Sequence, residues 1–122
     1  MSWFVVRLEL ARTKAFIEGS PERGYEFTAP LTSDGHLDEA AWRAAPQIAT
    51  VRRFWAGEPD EHGRLVHTRG RKWAFSYVPG EDDDEPFFHL ETHSLKAGEY
   101  VSIREHDGET LPFRIVSVRP VK

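Results

Sequence analysis

The chain has 122 residues with a net charge of −4, and 39% of them are hydrophobic, 30% charged and 12% aromatic. That length predicts a single domain over residues 1–122, large enough to bury about two-thirds of its unfolded surface without staples, and the composition is that of a globular chain rather than a disordered one. The absence of cysteine excludes disulfides, thiolate zinc sites, iron–sulfur clusters and cysteine nucleophiles, and the acidic balance, with a pI near 5.8, argues against nucleic acid as the partner.

In chain order, Trp3 to Leu10 alternate with Phe4, Val6, Leu8 and Leu10 on one face, the pattern of a strand with a core side. A second extended piece is expected over Lys14–Ile17, closed by Gly19-Ser20-Pro21, and a third over Gly24–Ala29 with Tyr25 and Phe27 on one face. One short helix is expected over about 38–45, with Asp38 as its N-cap and Pro46 as its stop. A helix that short needs docking, so Leu37 and Trp42 are expected to plug a barrel end or a sheet face. Ile48–Trp55 reads as a strand, and Gly57 to Gly63 as a polar loop.

Arg64–Thr68 and Lys72–Val78 read as a hairpin across Arg69-Gly70-Arg71, which aligns Leu65 with Phe75 and His67 with Trp73. Pro79–Pro86 reads as an acidic loop; its run Glu81-Asp82-Asp83-Asp84-Glu85 leaves the rest of the chain slightly basic. Phe87–His93 and Glu99–His106 read as a second hairpin, followed by a last strand over Leu111–Arg119. Apolar matching sets His93 against Tyr100 and Leu90 against Ile103. It then favours an odd loop with a bulge at Gly108, which sets Ile103 against Phe113 and Val101 against Ile115. The fold expected is a mostly β, compact antiparallel barrel or barrel-like sandwich of about seven to nine short strands with one short α-helix.

Val51-Arg52-Arg53-Phe54-Trp55, Trp73-Ala74-Phe75, Gly98-Glu99-Tyr100-Val101-Ser102-Ile103, Asp107-Gly108 and Phe113-Arg114-Ile115-Val116-Ser117-Val118 resemble a family of small proteobacterial hypothetical proteins with no assigned function. The resemblance implies a bacterial single-domain protein and carries no chemistry. The first apolar stretch meets a charge at Arg7, too early for a secretion signal. No run approaches the roughly 18 apolar residues of a membrane helix. The cytoplasm is therefore the expected location, with no membrane partner.

Three constellations carry possible chemistry. In His89-Leu90-Glu91-Thr92-His93, strand periodicity sets His89, Glu91 and His93 on one side, a donor set for Zn, Fe or Mn. Neighbouring cations such as Arg104 and Arg114 disfavour a metal there, and a solvated outer face explains the same residues. The basic and aromatic strands over 52–55 and 69–77 offer stacking and phosphate contacts of the kind single-strand binders use. A plain core stripe of Trp73, Phe75 and Tyr77 explains them as well. The acidic run lacks calcium-loop spacing.

There is no phosphate-binding glycine loop, nucleophile elbow or zinc-protease helix. The expected role is therefore non-catalytic, with no cofactor: a binding module for a protein or small ligand. His67, Trp73, Tyr100, Arg104 and Arg114 are its candidate contacts. The alternatives are a metal-dependent enzyme on the His89/Glu91/His93 face and a single-stranded nucleic-acid binder.

Overall fold

The computed structural model describes residues 3–67, 72–77, 85–88, 94–105 and 108–121, with only the backbone over 85–88. Eight strands follow one another: β1 (Trp3–Leu10), β2 (Ser20–Pro30), β3 (Thr50–Trp55), β4 (Glu58–His67), β5 (Trp73–Ser76), β6 (Glu85–Phe88), β7 (Tyr100–Arg104) and β8 (Thr110–Pro120). Each pairs antiparallel with the next, and β8 pairs back onto β1, so the sheet closes into an up-and-down barrel. Closure removes the free strand edges that an open sheet of this size would expose.

Alternation decides what fills the barrel. Val6, Leu8 and Leu10 of β1, Tyr25, Phe27 and Ala29 of β2, Leu65 of β4, Phe75 of β5, Val101 and Ile103 of β7, and Phe113 and Ile115 of β8 are all buried. Their rings interlock: Tyr25 lies 5.1 Å from Phe75 and 5.2 Å from Phe113, and Phe27 lies 5.3 Å from Phe75. Tilted and edge contacts of this kind add to what area burial alone contributes.

The helix forms where the sequence places it. α1 covers Glu39–Ala44, and Asp38 Oδ1 accepts from the Ala41 backbone N–H at 3.1 Å. Pro46 then opens a single 3₁₀ turn over Pro46–Ile48. Trp42 and Leu37 pack on the core cluster, so α1 covers one barrel mouth. Leu31 and Leu95 are buried with that cluster, and the Leu95 N–H donates to the Gly35 carbonyl at 2.7 Å. Asp38→Ala should cost about 1 kcal/mol of stability, because it orphans a helix N–H; urea unfolding at unchanged slope would measure it.

Several local expectations give way to the structure. Lys14–Ile17 is not a strand. Residues 11–19 form a connection in which Thr13 Oγ1 accepts from the Phe16 N–H at 3.0 Å, and Gly19, at φ +75°, closes a turn by donating to the Phe16 carbonyl at 2.9 Å. Side-chain-to-backbone bonding of this type competes with ladder pairing. The extended segment expected from Ile48 begins at Thr50, because Pro46 starts the 3₁₀ turn instead.

The polar stretch after Gly57 is strand, not loop: Gly57 takes φ +86°, and Trp55 pairs with Glu58 across a two-residue turn. Its side chains are polar because most of this part of β4 is exposed. Glu85 and Pro86, expected in the acidic loop, pair with Phe75 and Ala74 in β6.

The β4–β5 pairing is as expected, with Leu65 opposite Phe75 and His67 opposite Trp73. The last hairpin keeps its predicted faces but slides by two residues, so Val101 meets Phe113 and Ile103 meets Leu111. The loop is odd, as expected: Glu105 N–H donates to the Glu109 carbonyl at 2.8 Å, and Gly108 takes φ +87°. An apolar residue at 111 satisfies the same face as one at 113, which is why matching alone could not separate the two. On the other side of β7, Ile103 faces Phe87 and Ser102 faces Phe88, so Leu90 is not the partner of Ile103. The expected pairing of His93 with Tyr100 lies outside the described residues.

One glycine is required by its surroundings. Gly24 pairs with Phe54, and a Cβ on Gly24 would come within 2.0 Å of the Leu8 carbonyl oxygen and 3.0 Å of the Phe54 ring. Phe54 therefore lies flat on the outer wall, only 8% exposed, with the Arg7 and Arg52 guanidiniums 4.4 and 5.1 Å from its centroid.

Candidate functional site

The barrel interior holds a charged cluster that the sequence reading did not single out. Val51, Arg53 and Trp55 alternate to the same side of β3, and Val101, Ile103 and Glu105 do so along and just past β7. Arg53 Nη2 donates to Glu105 Oε1 at 2.6 Å, and the Tyr25 hydroxyl donates to the other carboxylate oxygen. Arg53 and Glu105 are each 8% exposed. Burial acts to lower the Arg53 pKa, but the hydrogen bond and charge of Glu105 outweigh it and hold the guanidinium above its ordinary value.

The guanidinium also lies 4.3 Å from the Trp55 ring centroid and reaches Glu58 at the open side. Arg23 stacks on Phe16 at 4.4 Å beyond it. These residues close the barrel mouth opposite α1. Both oxygens of Glu105 are engaged, one by the Arg53 guanidinium and the other by the Tyr25 hydroxyl, so the three side chains are tied together across the barrel interior.

The five predicted contact residues fall in two places. His67 and Trp73 lie inside, under α1: their rings stack at 4.4 Å, Trp42 stands edge-on to Trp73 at 5.4 Å, and His67 Nδ1 lies 3.3 Å from Glu39 Oε2. Trp73 is 4% exposed. Tyr100, Arg104 and Arg114 lie on the outer wall. Tyr100 sits directly opposite Arg114, whereas Arg104 sits further along, opposite Thr110.

Tyr100 and Arg114 line a groove of about 480 Å³ between the outer wall and the β1–β2 connection, together with Glu9, Arg12, Glu18 and Ser20. That volume falls within the usual size of small-molecule sites. Tyr100 is 58% exposed, one of few large hydrophobic residues that reach solvent to that degree.

The charges around this groove are unevenly satisfied. On the adjoining wall Arg7 pairs with Glu9 at 2.9 Å, Arg52 with Glu26 at 3.2 Å and Asp60 at 3.1 Å, and Arg119 with Glu26 at 3.3 Å. Glu9 stands opposite Arg114 in the ladder but directs its carboxylate to Arg7. Among the described residues Arg114 and Arg12 have no carboxylate within ion-pair distance. A second depression of about 600 Å³, beside Trp42, His62 and Tyr77, is more open, and its indole N–H already donates to the Leu65 carbonyl at 2.9 Å.

The other predicted sets are placed as follows. His89, Glu91 and His93 lie outside the described residues, as do Arg69, Arg71 and residues 81–84 of the acidic run. No three histidine, aspartate or glutamate side chains converge as a metal site among the described residues. Of the basic and aromatic set, Arg53, Phe54, Trp73 and Phe75 are buried, Arg52 is paired with carboxylates, and Trp55 and Tyr77 are half-buried. Buried rings offer no face on which bases can stack.

Fold and site together define a small closed β-barrel whose described interior residues pack into one core, with a polar groove on its wall. Comparison with protein-family models, curated proteins and solved structures gives no match to this chain.

Proposed function

We propose that this chain is a non-catalytic binding module that takes a small ligand on its outer wall, in the groove beside Tyr100 and Arg114, rather than inside the barrel. The observation that carries the reading is the pairing of an exposed tyrosine with an exposed arginine that has no carboxylate partner among the described residues, in a groove of ligand size. A flat apolar face beside a free guanidinium supplies both contact area and orientation. Among the described residues, interlocked rings and the Arg53–Glu105 pair take up interior space, which supports the same choice of site.

The test is amide chemical-shift mapping against small aromatic fragments that include anionic, neutral and cationic members. Saturable shifts confined to residues 9–12, 18–21, 99–101 and 113–116 are expected. Shifts centred on the interior rows of β2, β5 and β7, or none in the groove, would defeat the proposal.

A further inference from the structure

We infer that the groove selects a small monoanion carrying a flat ring, a carboxylate-bearing aromatic acid being the simplest case. This rests on the wall-groove reading above and adds the charge and shape of the ligand. The first argument is the count of unsatisfied charge. Arg12 and Arg114 line the groove with no ion-pair partner among the described residues, Glu9 is held by Arg7, and Glu18 is the one remaining unpaired carboxylate there. Two free cations against one free anion leave a single positive charge for a ligand to neutralise. A dianion would meet Glu18 with charge to spare, and a cation would meet two guanidiniums.

The second argument is geometry. Arg114 lies between Tyr100 on β7 and Glu9 on β1 in one cross-strand row, so Arg114 and Tyr100 are direct neighbours on the outer face and both line the groove. A planar guanidinium matches a carboxylate through two parallel N–H···O bonds, and an aromatic ring attached to that carboxylate then falls toward the exposed Tyr100 face. The third is the contrast with the adjoining wall, where Arg7 is paired with Glu9, Arg52 with Glu26 and Asp60, and Arg119 with Glu26, so those guanidiniums are already neutralised while the two that line the groove are not.

Benzoate, benzamide and benzamidinium share a ring and differ in charge, so titrating each into the labelled protein at low salt isolates the charge. Benzoate should move the groove amides saturably and bind more tightly than the other two. Arg114→Gln should weaken it by about tenfold, the loss of one charge-assisted hydrogen-bonding partner, and Tyr100→Ala should weaken it as well. Arg114 and Tyr100 are exposed, so neither variant threatens folding. Raising the salt should weaken benzoate and leave benzamide unchanged.

If benzamide or benzamidinium binds the groove at least as tightly as benzoate, or if Arg114→Gln leaves benzoate binding intact, the charge assignment is wrong while the groove stands. If none of the three moves the groove amides, the wall-groove reading itself falls.

Discussion

Glu105→Ala should lower the unfolding free energy by about 3–5 kcal/mol, a large share of the total for a domain of this size. The cost arises mainly from what is left behind. Arg53 is 8% exposed, and Glu105, with which it shares a 2.6 Å hydrogen bond, is its buried counter-charge, whereas Glu58 at 3.4 Å is more than half exposed. Without that carboxylate the guanidinium stays desolvated and the Tyr25 hydroxyl loses its acceptor. The pair itself need not be a net gain over apolar packing. Arg53→Met combined with Glu105→Leu should therefore recover most of the loss and fall within about 2 kcal/mol of the parent. Urea unfolding of Arg53→Met, Glu105→Leu and the double variant closes the cycle, with Glu105→Ala measured beside it. A Glu105→Ala loss below about 1 kcal/mol would mean that the pair is solvated like a surface ion pair.

Trp42→Ala should be the second most damaging change, at about 3 kcal/mol. α1 has six residues, too few to hold a helix unaided, and its attachment runs through Trp42. The indole stands edge-on to Trp73 at 5.4 Å and donates its N–H to the Leu65 carbonyl at 2.9 Å. Trp42→Phe keeps much of the ring contact and loses the hydrogen bond, so it should cost about 1 kcal/mol. Equal urea midpoints for Trp42→Ala and the parent would show that the helix does not seal the barrel mouth.

Much of the barrel was legible because period-two alternation is a strong signal where one face is buried. Val6, Leu8 and Leu10, then Tyr25 and Phe27, then Leu65 and Phe75 all take the side that alternation assigns. The helix was legible from its cap and its stop. What alternation cannot supply is the distance between paired residues along two strands. A slide of two residues preserves every face, so Ile103 opposite Leu111 and Ile103 opposite Phe113 are equivalent by pattern, and the turn decides.

The buried pair was missed for a related reason. Arg53 reads with the basic stretch 52–55 as a phosphate contact and Glu105 takes no role by type, although Val101 and Ile103, Val51 and Trp55 place both on the inner face by parity. Giving parity priority over residue type would have found them. The outer groove was half legible: Tyr100 and Arg114 were named from the sequence. Arg12 and Glu18 come to the same place only because the β1–β2 connection turns back through Thr13, Phe16 and Gly19.

Whether ligands bind the wall or the interior is tested most directly by intermolecular nuclear Overhauser effects from bound benzoate. Contacts from its ring protons to the Tyr100 ring and the Arg114 side chain, with none to the methyls and rings of Val101, Ile103, Phe75 or Phe113, are the predicted result. Contacts to Phe75, Phe113 or Ile103, which line the closed interior, would contradict it and place the site inside the barrel.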